Sequence, residues 1–261
     1  MAVVVTRSPD DGSMAPGKGL PLDSPEATML LQAAELHLEL VVEGGSARLT
    51  ALLERRWTEV TLPLRRWGCF ARPVTLTLLP SVAALRAAAP RPSVLDLRGV
   101  AWLDRVWLLA PEHWPFEPDD SAVVALVVHE LAHVLWFQRS TAPGRLPAYA
   151  PTWFREGVAV LAAQGAPDPR ERRNLAHLPV AALAYADDVT VAMHGEQVYQ
   201  VAALLTQTWL DHQGSRGYAS LCRELRGGRG FAEAFRRVCG EDDRHFAARI
   251  ADGWRQEAAR R

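Results

Sequence analysis

The sequence has few cysteines, little net charge and no long hydrophobic run. Its three cysteines, Cys69, Cys222 and Cys239, lie far apart without a CxxC pair, so we expect reduced thiols that do not bind zinc. A formal net charge of −1 gives no reason to expect nucleic acid as a partner. No apolar run is long enough for a membrane span, and Asp10 and Asp11 interrupt the place of a signal-peptide core. We therefore expect a cytoplasmic chain.

The composition is that of an ordinary globular protein with enough apolar material for a large core. The chain has 261 residues, of which 49% are hydrophobic and 23% charged. Residues 1–25 are rich in Pro, Gly, Ser and Asp and are predicted to be a disordered leader. Residues 26–261 are predicted to form a single domain, with an N-terminal α/β lobe over about 26–140 and a C-terminal helical lobe over about 141–261.

The order of strand and helix patterns predicts an α+β fold, with a small sheet first and helices after it. Alternating or continuous apolar residues predict strands at Leu36–Val42 and Val74–Leu79 and a hairpin over Gly99–Leu109. Helical spacing predicts a helix over Ala47–Trp57 between the first two strands. The C-terminal half is predicted to be helical, with breaks at glycines and prolines such as Gly214.

The segment His129-Glu130-Leu131-Ala132-His133 is a metal motif in outline. Histidines four residues apart on a helix point from one face, so both can donate a ring nitrogen to one Zn²⁺. Glu130 lies off that face, but it is close enough to accept a proton from a zinc-bound water. The motif therefore predicts one zinc ion, with His129 and His133 as ligands and Glu130 as the general base.

The surroundings of the motif favour a metal site over a chance match. Apolar residues cover every face of Ser121–Phe137, which predicts a buried central helix. A polar group buried without a partner costs roughly 2–7 kcal/mol, and metal coordination would remove that cost. Two core histidines that bond to backbone carbonyls are the simpler alternative. The HExxHxxGxxH pattern is excluded, because Trp136 and Arg139 stand where it needs Gly and His.

A second pattern follows, in which Pro151 is placed to open a helix as its first residue and Trp153-x-x-Glu156-Gly157 comes after it. Glu156 comes 23 positions after His133, which leaves room for a loop and a returning helix. HELAH followed by PxWxxEGxA resembles the gluzincin zinc metallopeptidases, and most closely the small peptidase MA-like domains. The resemblance covers about residues 35–256. It implies a zincin-like fold in which Glu156 is the third zinc ligand.

The resemblance also implies peptide-bond hydrolysis, so a peptide or protein is the expected substrate. The strand Val106–Leu109 is the expected edge against which an extended peptide pairs. A tyrosine at a matching place in the family makes Tyr199 the first choice for stabilising the oxyanion, with His194 as runner-up. The alternative for Tyr199 is a helix residue that only packs its ring. Val160 departs from the larger peptidases of the clan, which often carry an Asp there to orient a ligand histidine.

Three classes of function are compatible with the sequence. The first is an active zinc peptidase, and the second is a catalytically inactive peptidase-like binding protein that retains the fold. The third is a structural protein with a coincidental motif. Retention of Glu130 argues against the second class, because zinc binding alone does not need a general base.

Overall fold

A mixed sheet forms the N-terminal half of the chain, and helices form the rest. The computed structural model describes residues 3–4, 28–88, 98–168 and 170–260. The strands are β1 (Val3–Val4), β2 (Met29–Ala33), β3 (Leu38–Glu43), β4 (Val74–Leu79), β5 (Gly99–Trp102) and β6 (Arg105–Leu109). The helices are α1 (Ala47–Thr61), α2 (Val82–Ala88), α3 (Asp120–Ser140), α4 (Thr152–Gln164), α5 (Glu171–Leu175), α6 (Val180–Ala184), α7 (Asp188–Arg226), α8 (Phe231–Cys239) and α9 (Asp243–Ala259). The predicted α+β class is confirmed.

The sheet has the strand order β1-β2-β3-β4-β6-β5. β3, β4 and β6 are parallel, whereas β1, β2 and β5 run antiparallel to their neighbours. The predicted hairpin is confirmed as β5 and β6. The prediction that Val106–Leu109 forms the free edge was wrong, because β6 pairs with β4 on one side and with β5 on the other. Among the described strands, β5 ends the sheet at this side.

The N-terminal strands also differ from the prediction. The expected strand Leu36–Val42 begins later, as β3, and the unpredicted β2 pairs with it. His37 separates the two strands, because its left-handed backbone (φ 51°) ends a short 3₁₀ turn. In the predicted leader 1–25, Val3–Val4 pair with β2, and the remainder of that prediction lies outside the described residues.

Helix α3 is the buried central helix that the sequence predicts. The Asp119 carboxylate accepts a hydrogen bond from the Ala122 amide (2.7 Å) and caps its first turn. At the other end, Gln138 is buried and bonds the backbone at Ala71 and Arg72, which ties α3 to the loop before β4. By length and composition α3 could cross a membrane, but 67% of that apolar window is buried inside the protein, as in a core helix.

Helix α4 returns past α3, and an aromatic cluster holds it in place. Helix α4 begins at Thr152, one residue later than predicted, so Pro151 is its N-cap residue and not its first helical residue. The Thr152 hydroxyl donates to the Ala186 carbonyl (2.7 Å). The Phe154 ring lies 5.2 Å from the ring of Trp136 on α3 and 5.1 Å from that of Trp209 on α7. Helix α4 is thus fixed between the motif helix and α7.

Helix α7 is long and broken at two places. His194 and Gly214 have non-helical backbone angles, and the predicted break at Gly214 is thus confirmed. The three cysteines are free thiols, as predicted. Burial raises the pKa of Cys222 and of Cys239 to about 11.

Gly157, directly after Glu156, lets α4 and α7 approach closely. A Cβ at this position would lie 2.1 Å from the Thr206 hydroxyl oxygen and 2.4 Å from the Ala202 carbonyl oxygen. The Thr206 hydroxyl also donates to the Trp153 carbonyl (3.0 Å). Because the neighbouring backbone cannot move aside without moving α7, only glycine fits here.

We expect Gly157→Ala to lower the free energy of unfolding by about 1–3 kcal/mol, because overpacking outweighs the helix propensity gained. Gly253→Ala is the matched control, since Gly253 is an exposed residue of α9 with open space where a Cβ would lie. This control should be neutral or slightly stabilising. Urea unfolding of both variants measures the difference, and equal stabilities would contradict the close packing.

Candidate metal centre

Three of the predicted residues meet at one point between α3 and α4. The Nε2 atoms of His129 and His133 are 3.1 Å apart. Oε2 of Glu156 lies 3.4 Å from Nε2 of His129 and 3.3 Å from Nε2 of His133. Two nitrogens and one oxygen thus form a nearly equilateral triangle, which can hold a metal ion.

The elements that carry these residues account for the triangle. His129 and His133 are one turn apart on α3, so their rings leave the helix from the same face. Their ring planes are nearly perpendicular, at 82°. Glu156 lies in the second turn of α4, which packs against α3, so its carboxylate reaches across to both rings. The sequence spacing predicted the first pair, and the packing of α4 brings in the third member.

The three side chains are largely shielded from solvent. The exposed fractions are 18% for His129, 10% for His133 and 12% for Glu156. Burial alone would raise the pKa of the Glu156 carboxyl. The positive charges of His133 and Arg155 and hydrogen bonds from both imidazoles outweigh burial and hold that pKa well below its usual value. Glu156 is therefore ionised, which is the form of a carboxyl group that can bind a metal.

Two ionisable groups of the HELAH motif, His129 and Glu130, have shifted pKa values as well. Burial lowers the pKa of His129, whereas a hydrogen bond to Glu156 and the negative charges of Glu130 and Glu156 raise it. The raising effects together outweigh burial, so the net shift is upward. A metal would displace the proton from this ring on binding. Burial raises the pKa of Glu130, which is only 5% exposed.

Glu130 is held against the edge strand of the sheet. A Cβ on Gly99, the first residue of β5, would lie 2.8 Å from Oε1 of Glu130 and 2.7 Å from a methyl carbon of Leu108. The carboxylate therefore occupies space that any other residue at position 99 would fill. Gly99 has a role that the sequence did not reveal, because its contact with Glu130 depends on how α3 packs under β5.

The two candidates for the oxyanion contact lie in different surroundings. The Tyr199 ring centroid is 6.1 Å from that of His129, in an edge-to-face arrangement. Burial, together with the charges of Glu156 and Glu130, raises the pKa of Tyr199, so the phenol keeps its proton. His194, the runner-up, is exposed at the first break in α7. The structure thus brings Tyr199 to the metal centre, and its role stays a prediction.

Arg155 is a further residue at the centre that the sequence did not single out. Its Nε lies 3.0 Å from Oε1 of Glu156, the carboxylate oxygen that does not face the imidazoles. The only signal in the sequence was its position next to Glu156. Residues one apart on a helix point in different directions, so this contact was not expected.

Comparison with known proteins adds little to this geometry. No protein-family model and no curated protein matches the sequence. Among solved structures, the chain is similar to an aminopeptidase N family protein from Idiomarina loihiensis, with 11% sequence identity and a TM-score of 0.38. The similarity covers 87% of this chain and 41% of that protein, so this chain spans less than half its length. A likeness this distant does not assign a family.

Proposed function

We propose that the chain is a zinc-dependent peptidase of the gluzincin kind. The observation that supports this most directly is the triangle of Nε2 of His129, Nε2 of His133 and Oε2 of Glu156, with sides of 3.1, 3.3 and 3.4 Å. Tetrahedral zinc with ligand bonds of about 2.0–2.1 Å has ligand atoms about 3.3–3.4 Å apart. The three atoms fit three corners of such a tetrahedron, and the fourth corner stays open for water or substrate.

The chain's own groups would then carry the proton transfers. Bound zinc supplies a water of lowered pKa and polarises the scissile carbonyl. Glu130 would accept a proton from the attacking water and would later return it to the leaving amine. Burial favours this role, because a raised pKa brings a carboxyl closer to the pH at which it both takes up and releases a proton. In this proposal the protonated Tyr199 phenol donates a hydrogen bond to the developing oxyanion.

The substrate backbone would bind along β5. This strand ends the sheet among the described residues, and a Cβ on its first residue, Gly99, would lie 2.8 Å from Oε1 of Glu130. A peptide added to β5 as a further strand would therefore run past the general base. This replaces the predicted docking on Val106–Leu109, which is already paired on both sides.

The purified protein should bind one Zn²⁺ per chain. Loss of a residue that merely supports a ligand costs about 10–100-fold in metal affinity, so loss of a direct ligand in His133→Ala or Glu156→Gln should cost more than about 100-fold. His113→Ala, at an exposed histidine outside the triangle, is the control and should bind as the wild type does. Competition with a chromophoric chelator measures the affinities. Absence of zinc binding in the wild type would contradict the proposal and would mean that the HELAH motif is coincidental.

Glu130→Gln should retain zinc and lose hydrolysis. General acid–base catalysis contributes about 10²–10⁴-fold, and the amide cannot accept the proton. Cleavage of a broad peptide library, read by mass spectrometry together with zinc content, checks this. A wild type that binds zinc but cleaves nothing in the library would support an inactive peptidase-like binding protein instead.

Gly99→Ala should lower the turnover number by about 10-fold or more with zinc content unchanged, because the new methyl group displaces the Glu130 carboxylate. Gly45→Ala is the control, since Gly45 is exposed and a Cβ there meets no other atom. Steady-state kinetics on a peptide found in the library separates the two variants. Equal turnover in both would show that the contact between Gly99 and Glu130 has no part in catalysis.

A further inference from the structure

The two oxygens of the Glu156 carboxylate have different partners. Oε2 lies 3.3 and 3.4 Å from the two imidazole nitrogens, whereas Oε1 lies 3.0 Å from Nε of Arg155. The carboxylate group is therefore held at Oε1 by the guanidinium cation and at Oε2 by the two imidazoles. A charged donor next to an ionised acceptor makes one of the stronger hydrogen bonds in proteins.

This contact is not a default consequence of the sequence. Consecutive residues of a helix are about 100° apart around its axis, so their side chains usually diverge. The Arg155 side chain is 33% exposed, yet its guanidinium bends back onto its neighbour. Val160, about one turn further along α4, is buried and apolar and cannot donate a hydrogen bond to the carboxylate. On α4, orientation of Glu156 therefore comes from Arg155.

We propose that Arg155 is a positioning residue that makes Glu156 a one-oxygen ligand. By occupying Oε1 it leaves only Oε2 to the metal, which keeps the fourth coordination position open. Without this partner the carboxylate can turn and bind with both oxygens, which would add a fifth donor atom beside the water and crowd the position that a catalytic site needs. The inference rests on the proposed function, because it requires that the triangle binds zinc.

Charge and orientation predict opposite changes in zinc affinity. Removing a cation a few ångströms from the metal would strengthen binding if charge repulsion dominated. Removing a hydrogen-bond partner of a ligand weakens metal binding by about 10–100-fold. We expect the second effect to dominate, since the guanidinium is in direct contact with the ligand and partly exposed to screening solvent.

The test compares Arg155→Met and Arg155→Lys with the wild type by zinc affinity and by the visible spectrum of the Co²⁺-loaded protein. Arg155→Met should bind zinc about 10–100-fold more weakly. Its Co²⁺ absorption should weaken, because five-coordinate Co²⁺ absorbs less strongly than tetrahedral Co²⁺. Arg155→Lys should restore both properties in large part, since an ammonium group can still donate to Oε1.

Arg249→Met is the matched control, because Arg249 on α9 also pairs with a carboxylate, that of Glu241 just before this helix. It should leave zinc affinity and spectrum unchanged, and all the metal-free variants should be folded at the temperature of the zinc measurement. If the wild type binds zinc and Arg155→Met has the same or a higher affinity and the same spectrum, the role of Arg155 is overturned while the proposed function stands. Failure of Arg155→Lys to improve on Arg155→Met also overturns it. A wild type without zinc binding overturns both.

Discussion

The close packing of α4 between α3 and α7 is the constraint on which the metal centre depends. Two imidazoles on α3 can converge by helical geometry alone, but the carboxylate of Glu156 has to arrive from another element. Gly157 allows the backbones of α4 and α7 to approach, and Phe154 fills the space between Trp136 and Trp209. The Thr206 hydroxyl then bonds the Trp153 carbonyl and fixes the position of α4 along α7. The Glu156 carboxylate oxygen is therefore placed by the packing of the core.

Burial of charge is the second physical theme of the site. Glu130 and Glu156 are both buried within a mainly apolar core, where ionised groups are costly unless they are paired. Glu156 is compensated by the two imidazoles and by Arg155, so its pKa is low. Glu130 has less compensation and its pKa is raised. Two carboxyl groups near one point thus have different proton affinities, which is the arrangement expected when one binds a metal and the other transfers protons.

The sequence predicted the local parts of the site well. The histidine spacing in HELAH, the apolar environment of Ser121–Phe137 and the proline before Trp153 are local signals, and the structure contains both helices. The resemblance to gluzincins implied Glu156, and the structure brings its carboxylate to both imidazoles. These features depend on residues close in the chain, or on a motif that links the two helices.

What the sequence did not predict depends on contacts between distant segments. Chain order suggested that Val106–Leu109 was the free strand, but strand order in a sheet is set by pairing, and β5 lies outside β6. The proposed role of Gly99 follows from the position of Oε1 of Glu130, and that of Arg155 from the position of Oε1 of Glu156. Strand β2 was missed because the run from Met29 to Leu36 has no glycine or proline to mark its end.

X-ray absorption at the zinc edge of the zinc-loaded protein tests the central claim most directly. With His129, His133 and Glu156 as ligands, the first shell should contain nitrogen and oxygen only, at about 2.0–2.1 Å, with outer-shell scattering from two imidazole rings. A sulfur neighbour at about 2.3 Å, or a shell without imidazole scattering, would contradict the account.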